Sequence, residues 1–217
     1  VLNIIMNRVN GKSAVNMNGY NGNLAISAGN KGWRSSGFLS GQQGKLTYSA
    51  NIMYNAAKSK GTVTEMSRTA SDGSRMDYRQ KGNTHIPFTM GNLSLGYELD
   101  SMSNIGASIG LTSFAMKNDG HPMTTFSGGP YGTGFSYGNE MTMKNKNTSF
   151  NGSIDYQRFF NKARTSSLTL SYLFSTTPAE NTNLRVYDPL PAGVTIPLKD
   201  LYSEAKMRGT EHTVQVD

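Results

Sequence analysis

The sequence predicts an all-β fold of about eight antiparallel strands, and three observations predict it. The chain is polar mainly through uncharged residues, because only 16% of its 217 residues are Asp, Glu, Lys or Arg. Apolar residues alternate with small polar residues, which is the period of a strand with one apolar face. The links between the alternating segments are short and long in turn. The 11 Tyr and 9 Phe recur along the chain, so disorder is not expected.

The clearest alternation lies between residues 46 and 54. Leu46, Tyr48 and Ile52 share one face of a strand, and Ser49 and Asn51 share the other. Similar segments precede and follow this one, and none has the 3.6-residue period of a helix. In chain order, the predicted strands lie at 24–28, around Phe38, and at 46–54, 92–99, 105–112, 150–157, 168–175 and 213–217.

The links between these segments predict the topology. Short, turn-rich links lie near residues 42, 102 and 163. Long links, which we interpret as irregular, span 56–87, 115–140 and 176–205, and the short link near Lys31 is the exception. Short turns at one end and long loops at the other are typical of outer-membrane barrels. We therefore predict that sequence-adjacent strands pair in antiparallel fashion, with the three short turns together at one end.

The composition of the two faces favours an up-and-down transmembrane β-barrel. Few charges lie on the polar face, as expected of an enclosed but wet lumen, and the apolar face ends in Tyr or Phe, as in the aromatic girdles of membrane barrels. The residues expected to contact membrane lipid are Leu46, Tyr48, Ile52, Leu93, Leu95, Ile109, Leu168 and Leu170. The residues expected to face the lumen are Ser49, Asn51, Ser94, Ser108, Asp155 and Ser171.

Two other interpretations stay open at this point. One is a secreted or surface β-sandwich used for binding or adhesion. The other is a complete, small, eight-stranded barrel with a structural role. We predict that the strands do not close on themselves, because the alternation stops midway at residues 213–217.

Three segments resemble the TonB-dependent receptors of the outer membrane, specifically the type common in Bacteroidetes. The first eight residues, Val1-Leu-Asn-Ile-Ile-Met-Asn-Arg8, are similar to the last strand of the plug domain of that family. Residues 151–160 and 163–172 resemble a mid-barrel hairpin of the family, and residues 211–217 resemble a later strand.

The resemblance implies a location and a function. Residues 1–16 would be the end of the plug domain and a linker, and residues 17–217 the N-terminal part of a barrel of about 22 strands. The protein would lie in the outer membrane of a Gram-negative bacterium and take up a nutrient ligand. Energy coupling of the TonB type would act through segments absent from this chain. The open sheet edges would be covered by the remainder of the barrel or by partner chains.

One predicted link carries the candidate ligand-binding residues. Five ring side chains lie within or beside the Gly-rich sequence Gly128-Gly-Pro-Tyr-Gly-Thr-Gly134: His121, Phe126, Tyr131, Phe135 and Tyr137. Aromatic rings on an extracellular loop suit contact with sugar or peptide ligands, because they offer large contact area at small rotamer cost. The alternative is that these rings only pack the loop against its neighbours. The Gly-rich sequence lacks the Lys-Ser/Thr ending of a phosphate-binding loop.

Other kinds of site have little support in the sequence. The chain has no Cys and three widely spaced His, so we expect no metal site and no cofactor. No Ser lies in a Gly-x-Ser-x-Gly sequence and no acidic residues form a close pair, so we expect no catalytic residue and no enzyme activity. The net charge is +7, but the basic residues are scattered, so we expect no nucleic-acid partner.

Overall fold

A computed structural model describes residues 18–217, which form one antiparallel sheet of eight strands in sequence order. The predicted domain boundary near residue 16 and the plug-like segment at residues 1–8 lie outside the described residues. The strands are β1 Gly19–Gly29, β2 Gly32–Gln43, β3 Leu46–Thr69, β4 Arg75–Asp100, β5 Ser103–Ser127, β6 Phe135–Phe159, β7 Ser167–Tyr187 and β8 Leu201–Val216. A short 3-10 helix, Gly129–Tyr131, lies between β5 and β6. No helix in the described part of the chain is both long and apolar enough to cross a membrane.

The predicted topology is confirmed. The links after β2, β4 and β6 lie together at one end of the sheet, which we call the turn end, because every neighbouring pair of strands is antiparallel. Backbone hydrogen bonds continue to this end: Glu98 N–H donates to Lys45 C=O (2.9 Å) and Phe159 N–H donates to Met102 C=O (2.8 Å). The links after β1, β3, β5 and β7 lie at the opposite end, the hairpin end.

The prediction that the long links are irregular is wrong. Most of their residues belong to strands of 21–26 residues, so that β3 and β4 are joined only by residues 70–74. Residues 128–134 and 188–200 join β5 to β6 and β7 to β8. The strands continue because each one finds a neighbour for its backbone N–H and C=O groups, including residues 62–69, which pair with residues 75–82.

Three prolines lie within strands, and each coincides with an interruption of one ladder. Pro87 pairs with Ala56 of β3, but the pairing of β4 with β5 is interrupted beside it. Similar interruptions lie beside Pro122 between β5 and β6, and beside Pro178 between β6 and β7. A proline has no N–H to donate, so one side of each position lacks a ladder hydrogen bond.

The register places the predicted apolar residues on one face, here called the front face. Leu95 pairs with Tyr48 on one side and with Ala107 on the other, and Ile154 pairs with Tyr172. The opposite, back face carries the small polar residues: Ser94 pairs with both Ser49 and Ser108. These residues lie in the half of the sheet nearest the turn end, which we call the lower half. All the residues predicted to share a face do share it.

In the upper half, nearest the hairpin end, the polarity of the two faces is reversed. On β4 the front face changes from Leu93 and Leu95 to His85, Lys81 and Arg79 as the strand is followed upward. The back face carries Phe88, Phe114, Tyr78 and many Met, Asn and Thr side chains there. The period of two continues throughout, because the β4–β5 register is unchanged from Arg75 to Glu98.

The sheet is open. Its edges are β1 and β8, all of whose residues are exposed, and each edge strand has one described neighbour. The predicted lack of closure is therefore confirmed, and the eight strands do not form a small closed barrel. They also form a single layer, and Ala56 is the one buried hydrophobic residue among those described. No second sheet packs on this layer within residues 18–217, as a β-sandwich would require.

Candidate functional site

Four of the five predicted ring residues form a cluster at the hairpin end of β5 and β6. Phe126 is at its centre, and its ring centroid lies 5.1 Å from that of Tyr131, 5.6 Å from Phe135 and 6.4 Å from Tyr137. Phe126 and Phe135 are directly paired across the two strands, so both point to the back face. We call these four residues, together with Tyr187 of β7, the ring cluster.

The Gly-rich link makes this cluster possible. Gly128, Gly129, Gly132 and Gly134 all have positive φ, between 49° and 83°, which L side chains rarely adopt. The chain can therefore turn sharply around the helix Gly129–Tyr131 and bring the Tyr131 ring back over Phe126. The glycines thus serve a tight turn.

Tyr187 belongs to the cluster although the sequence analysis missed it. It lies on β7, and its ring centroid is 6.1 Å from that of Tyr137. The β6–β7 register, in which Asn139 pairs with Tyr187, brings the two rings together. Fifty residues separate them along the chain, so no local pattern could have indicated the contact.

His121 is on the other face of the sheet. It lies five positions before Phe126 on the same strand, and residues an odd number apart point to opposite faces. Its Nε2 lies 3.0 Å from Asp188 Oδ2, and the backbone N–H of Asp188 donates to Gly138 C=O at 3.0 Å. A side chain at Gly138 would collide with both His121 and Asp188. His121 therefore fixes the start of the β7–β8 link rather than joining the ring cluster.

Three polar side chains border the ring cluster on the back face of β6 and β7. Asn139 is only 7% exposed, and its Nδ2 is buried without a hydrogen-bond partner among the described residues. Asn183 Oδ1 and Arg185 Nε are also buried and unpartnered there, although Arg185 Nη1 donates to Tyr187 Oη at 3.4 Å. Asn139 pairs with Tyr187, and Arg185, which pairs with Met141, is the next residue on the same face of β7. Asn183, which pairs with Met143, is one same-face position further along β7. We call Asn139, Asn183 and Arg185 the polar trio.

The ring cluster and the polar trio together suit a ligand with both apolar and hydroxyl or amide groups. Buried polar atoms normally have a partner, so an unpartnered one needs an explanation such as a water molecule or a ligand. Rings provide flat apolar contact area, and a few convergent donors and acceptors fix orientation. Sequence reasoning found the rings because aromatic residues near glycines are conspicuous. It missed the trio because Asn is abundant throughout this chain.

The remaining His and acidic residues lie in separate surroundings. His212 Nδ1 lies 2.8 Å from Tyr172 Oη near the β8 edge, and His85 is on the front face of β4 between Lys58 and Lys117. Asp119 accepts from Lys117 Nζ at 2.6 Å. Within residues 18–217, no three His, Asp or Glu side chains are close enough together to hold a metal ion.

Comparison with known proteins assigns the chain to no family. The chain matches no protein-family model, and a search of curated protein sequences finds no match to it.

Proposed function

We propose that the chain is part of the wall of an outer-membrane β-barrel of the TonB-dependent receptor class, which takes up a nutrient ligand. The observation that carries the proposal is the front face of the lower half, an apolar surface eight strands wide that no described residue covers. Leu95 is 44% exposed, Ile109 48% and Leu170 42%. Soluble proteins rarely expose apolar patches of this extent, whereas a membrane barrel presents such a band to lipid.

The rings at the margins of this surface support the same conclusion. Trp33 and Tyr54, with ring centroids 4.6 Å apart, lie at its upper margin on β2 and β3. Tyr97 and Tyr156 lie near its lower margin. Tyr54 pairs with Thr89, so the segment of β4 between the two margins, residues 89–97, contains nine residues. A transmembrane strand needs about 9–11 residues, and aromatic rings gather at both membrane interfaces.

The back face supports an enclosed, wet lumen rather than a hydrophobic core. In the lower half it carries serines that bond across strands, such as Ser108 and Ser153, whose Oγ atoms lie 2.9 Å apart. Such a face needs water or another polar surface opposite it. In a barrel wall the edges β1 and β8 would pair with further strands of the same barrel or with partner chains, because unpaired N–H and C=O groups in lipid cost several kcal/mol each.

The upper half would then extend above the membrane on the outer side, with the ring cluster and polar trio facing inward. There they would hold the ligand, for which sugars and peptides are the best-suited classes. We propose no catalytic role for the chain. Energy coupling of the TonB type, which the family resemblance implies, would act through segments outside residues 18–217.

Cysteine labelling tests the proposal cleanly, because the chain has no native Cys. Single variants Leu95→Cys and Ser94→Cys, in the protein in isolated outer membranes, would carry a fluorescent label on neighbouring positions of opposite faces. We expect a quencher in the acyl chains to quench the label at position 95, and a water-soluble quencher to quench the label at position 94. Equal quenching of both labels by the aqueous reagent would contradict the proposal and favour a surface binding or adhesion protein.

A further inference from the structure

Basic side chains form a band across the front face, directly above the apolar surface. In one row, Lys58 pairs with His85, His85 with Lys117, and Lys117 with Lys144, so that four neighbouring strands present a basic or imidazole side chain side by side. Lys146, Lys206 and Arg208 continue the row on β6 and β8. We call these seven residues the basic band.

The charges of the basic band are only partly compensated. The acidic residues of the same part of the front face are Asp119, Glu180 and Glu204. Lys117 Nζ lies 2.6 Å from Asp119 and Lys206 Nζ 2.5 Å from Glu204. Four cations have no ion-pair partner within 4.0 Å among residues 18–217: Lys58, Lys144, Lys146 and Arg208. Like charges directly opposite each other destabilise a sheet, so an anion between them would remove a cost that the fold otherwise bears.

Two surface cavities lie within the basic band, at the ladder interruptions caused by prolines. One, of about 210 Å³, is lined by His85, Pro87, Lys117, Lys144 and Lys146, and also by the acidic residue Glu180. The Nε2 atom of His85 is buried there without a partner among the described residues. The other, of about 330 Å³, is lined by Pro178, Lys146, Lys206 and Arg208. Glu180 also lines it, and this residue pairs with Lys146 on one side and with Lys206 on the other. Both cavities thus combine an opening in the sheet with several cationic donors.

We propose that the basic band binds the anionic headgroup of membrane lipid, with phosphate oxygens in the two cavities and the acyl chains against the apolar surface below. The inference rests on the proposed membrane position of the sheet. On β6 the front face changes from Lys144 and Lys146 to Phe150 and Ile154 within one strand, so cationic and apolar surfaces are continuous. That continuity fits an amphiphile and gives a free phosphate ion no advantage. Clusters of basic residues beside a membrane surface recognise anionic lipids in the same way.

Native mass spectrometry of the full protein in a neutral detergent tests this inference. The probes are phosphatidylglycerol, phosphatidylcholine and inorganic phosphate, each added at the same concentrations. We expect retention of phosphatidylglycerol in preference to phosphatidylcholine, and no displacement by phosphate. Each Lys near an anionic lipid surface contributes about fivefold, so Lys144→Gln with Lys146→Gln should weaken phosphatidylglycerol binding about 25-fold.

Two further variants make the test specific. Lys162→Gln with Lys199→Gln removes the same charge from the links after β6 and β7, outside the basic band, and should leave binding unchanged. Glu180→Gln removes an acid from between Lys146 and Lys206, and should tighten binding about fivefold. Equal losses in both lysine pairs, equal retention of the two lipids, or displacement by inorganic phosphate would overturn the inference.

Failure of this inference is separable from failure of the proposed function. The labels at positions 94 and 95 report insertion of the lower half, which depends on the apolar surface and not on the lysines. Their opposite quenching in phosphatidylcholine bilayers, together with no headgroup preference, would retain the barrel wall and reject the lipid site.

Discussion

The lower and upper halves of the sheet share one hydrogen-bonded ladder but distribute polarity in opposite ways. The β4–β5 register runs unchanged from one half to the other, so a single backbone arrangement serves both. In the lower half the front face is apolar and the back face is small and polar. In the upper half the front face is charged, and the back face carries rings, Met and Asn. Strand pairing therefore does not depend on which face is apolar. The reversal fits the proposed change in the surroundings of the front face, from lipid to water.

The largest effect expected from this comparison concerns a charge on the front face of the lower half. Leu93→Arg should lower the stability of the protein in lipid by roughly 2–4 kcal/mol, because it puts a cation midway between the two margins of the apolar surface. Ser94→Arg, one position away on the back face, should cost far less. Unfolding by denaturant of the lipid-reconstituted protein measures both variants. If the two changes had the same cost, the assignment of the front face to lipid would be wrong.

The two halves also differ in how far the sequence predicts them. In the lower half, residues such as Leu93 and Ser94 differ strongly in hydropathy, so the alternation alone predicts the strands, their faces and the turn end. In the upper half, alternation between residues such as Lys81 and Gln80 has little hydropathy contrast. Strand pairing there is decided by the neighbouring strand, which a local pattern cannot indicate. For the same reason the sequence predicted four rings of the ring cluster but neither Tyr187 nor the polar trio.

The next effect compares aromatic residues on the back face of the two halves. Phe126 contacts three other rings in the upper half, and each such pair stabilises by about 0.5–1.5 kcal/mol beyond burial. Phe126→Ala removes all three pairs and should therefore destabilise the protein by at least about 1.5 kcal/mol and weaken ligand binding. Tyr131→Ala, at a ring that is 41% exposed, should affect ligand binding more than stability.

Phe38 provides the matched control in the lower half. It lies on the back face, where it pairs with Asn51, and it is 42% exposed. Phe38→Ala should change neither ligand binding nor stability by more than about 0.5 kcal/mol, the usual range of exposed substitutions. Thermal unfolding and calorimetric titration with candidate oligosaccharides and peptides measure these outcomes. Loss of ligand binding in Phe38→Ala but not in Phe126→Ala would place the binding site in the lower half.

A smaller effect is expected for ion pairs on the front face of the upper half. Arg79 Nε lies 3.1 Å from Glu65 Oε1, and both side chains are well exposed. Exposed pairs typically contribute 0.2–1 kcal/mol and weaken as salt is added. A double-mutant cycle with Arg79→Gln and Glu65→Gln should give a coupling in that range at low salt. A coupling several times larger, or one insensitive to salt, would indicate that this part of the front face is dehydrated, as we propose for the lower half.

The smallest effect concerns the tip of the β3–β4 hairpin, at the limit of the upper half. The hydroxyl and the backbone N–H of Ser74 both donate to Asp72 Oδ1, at 2.6 and 2.9 Å, and they hold the pKa of the Asp72 carboxyl below its ordinary value of 3.8. Because the pKa is lowered in the folded state, the stabilisation is present above the unfolded pKa. It is lost as the pH falls through the folded value.

The amide of Ser74 should therefore lose protection from hydrogen exchange when the pH falls below about 4, after correction for the intrinsic exchange rate. Asp72→Asn keeps an acceptor but cannot ionise, so it should remove this pH dependence. The amide of Leu95 in the lower half should not respond in either protein, because the hairpin tip opens locally while the ladder below it stays paired. A response at Leu95 that follows the one at Ser74 would mean that the two halves unfold as one unit. Their difference in polarity would then have no counterpart in local stability.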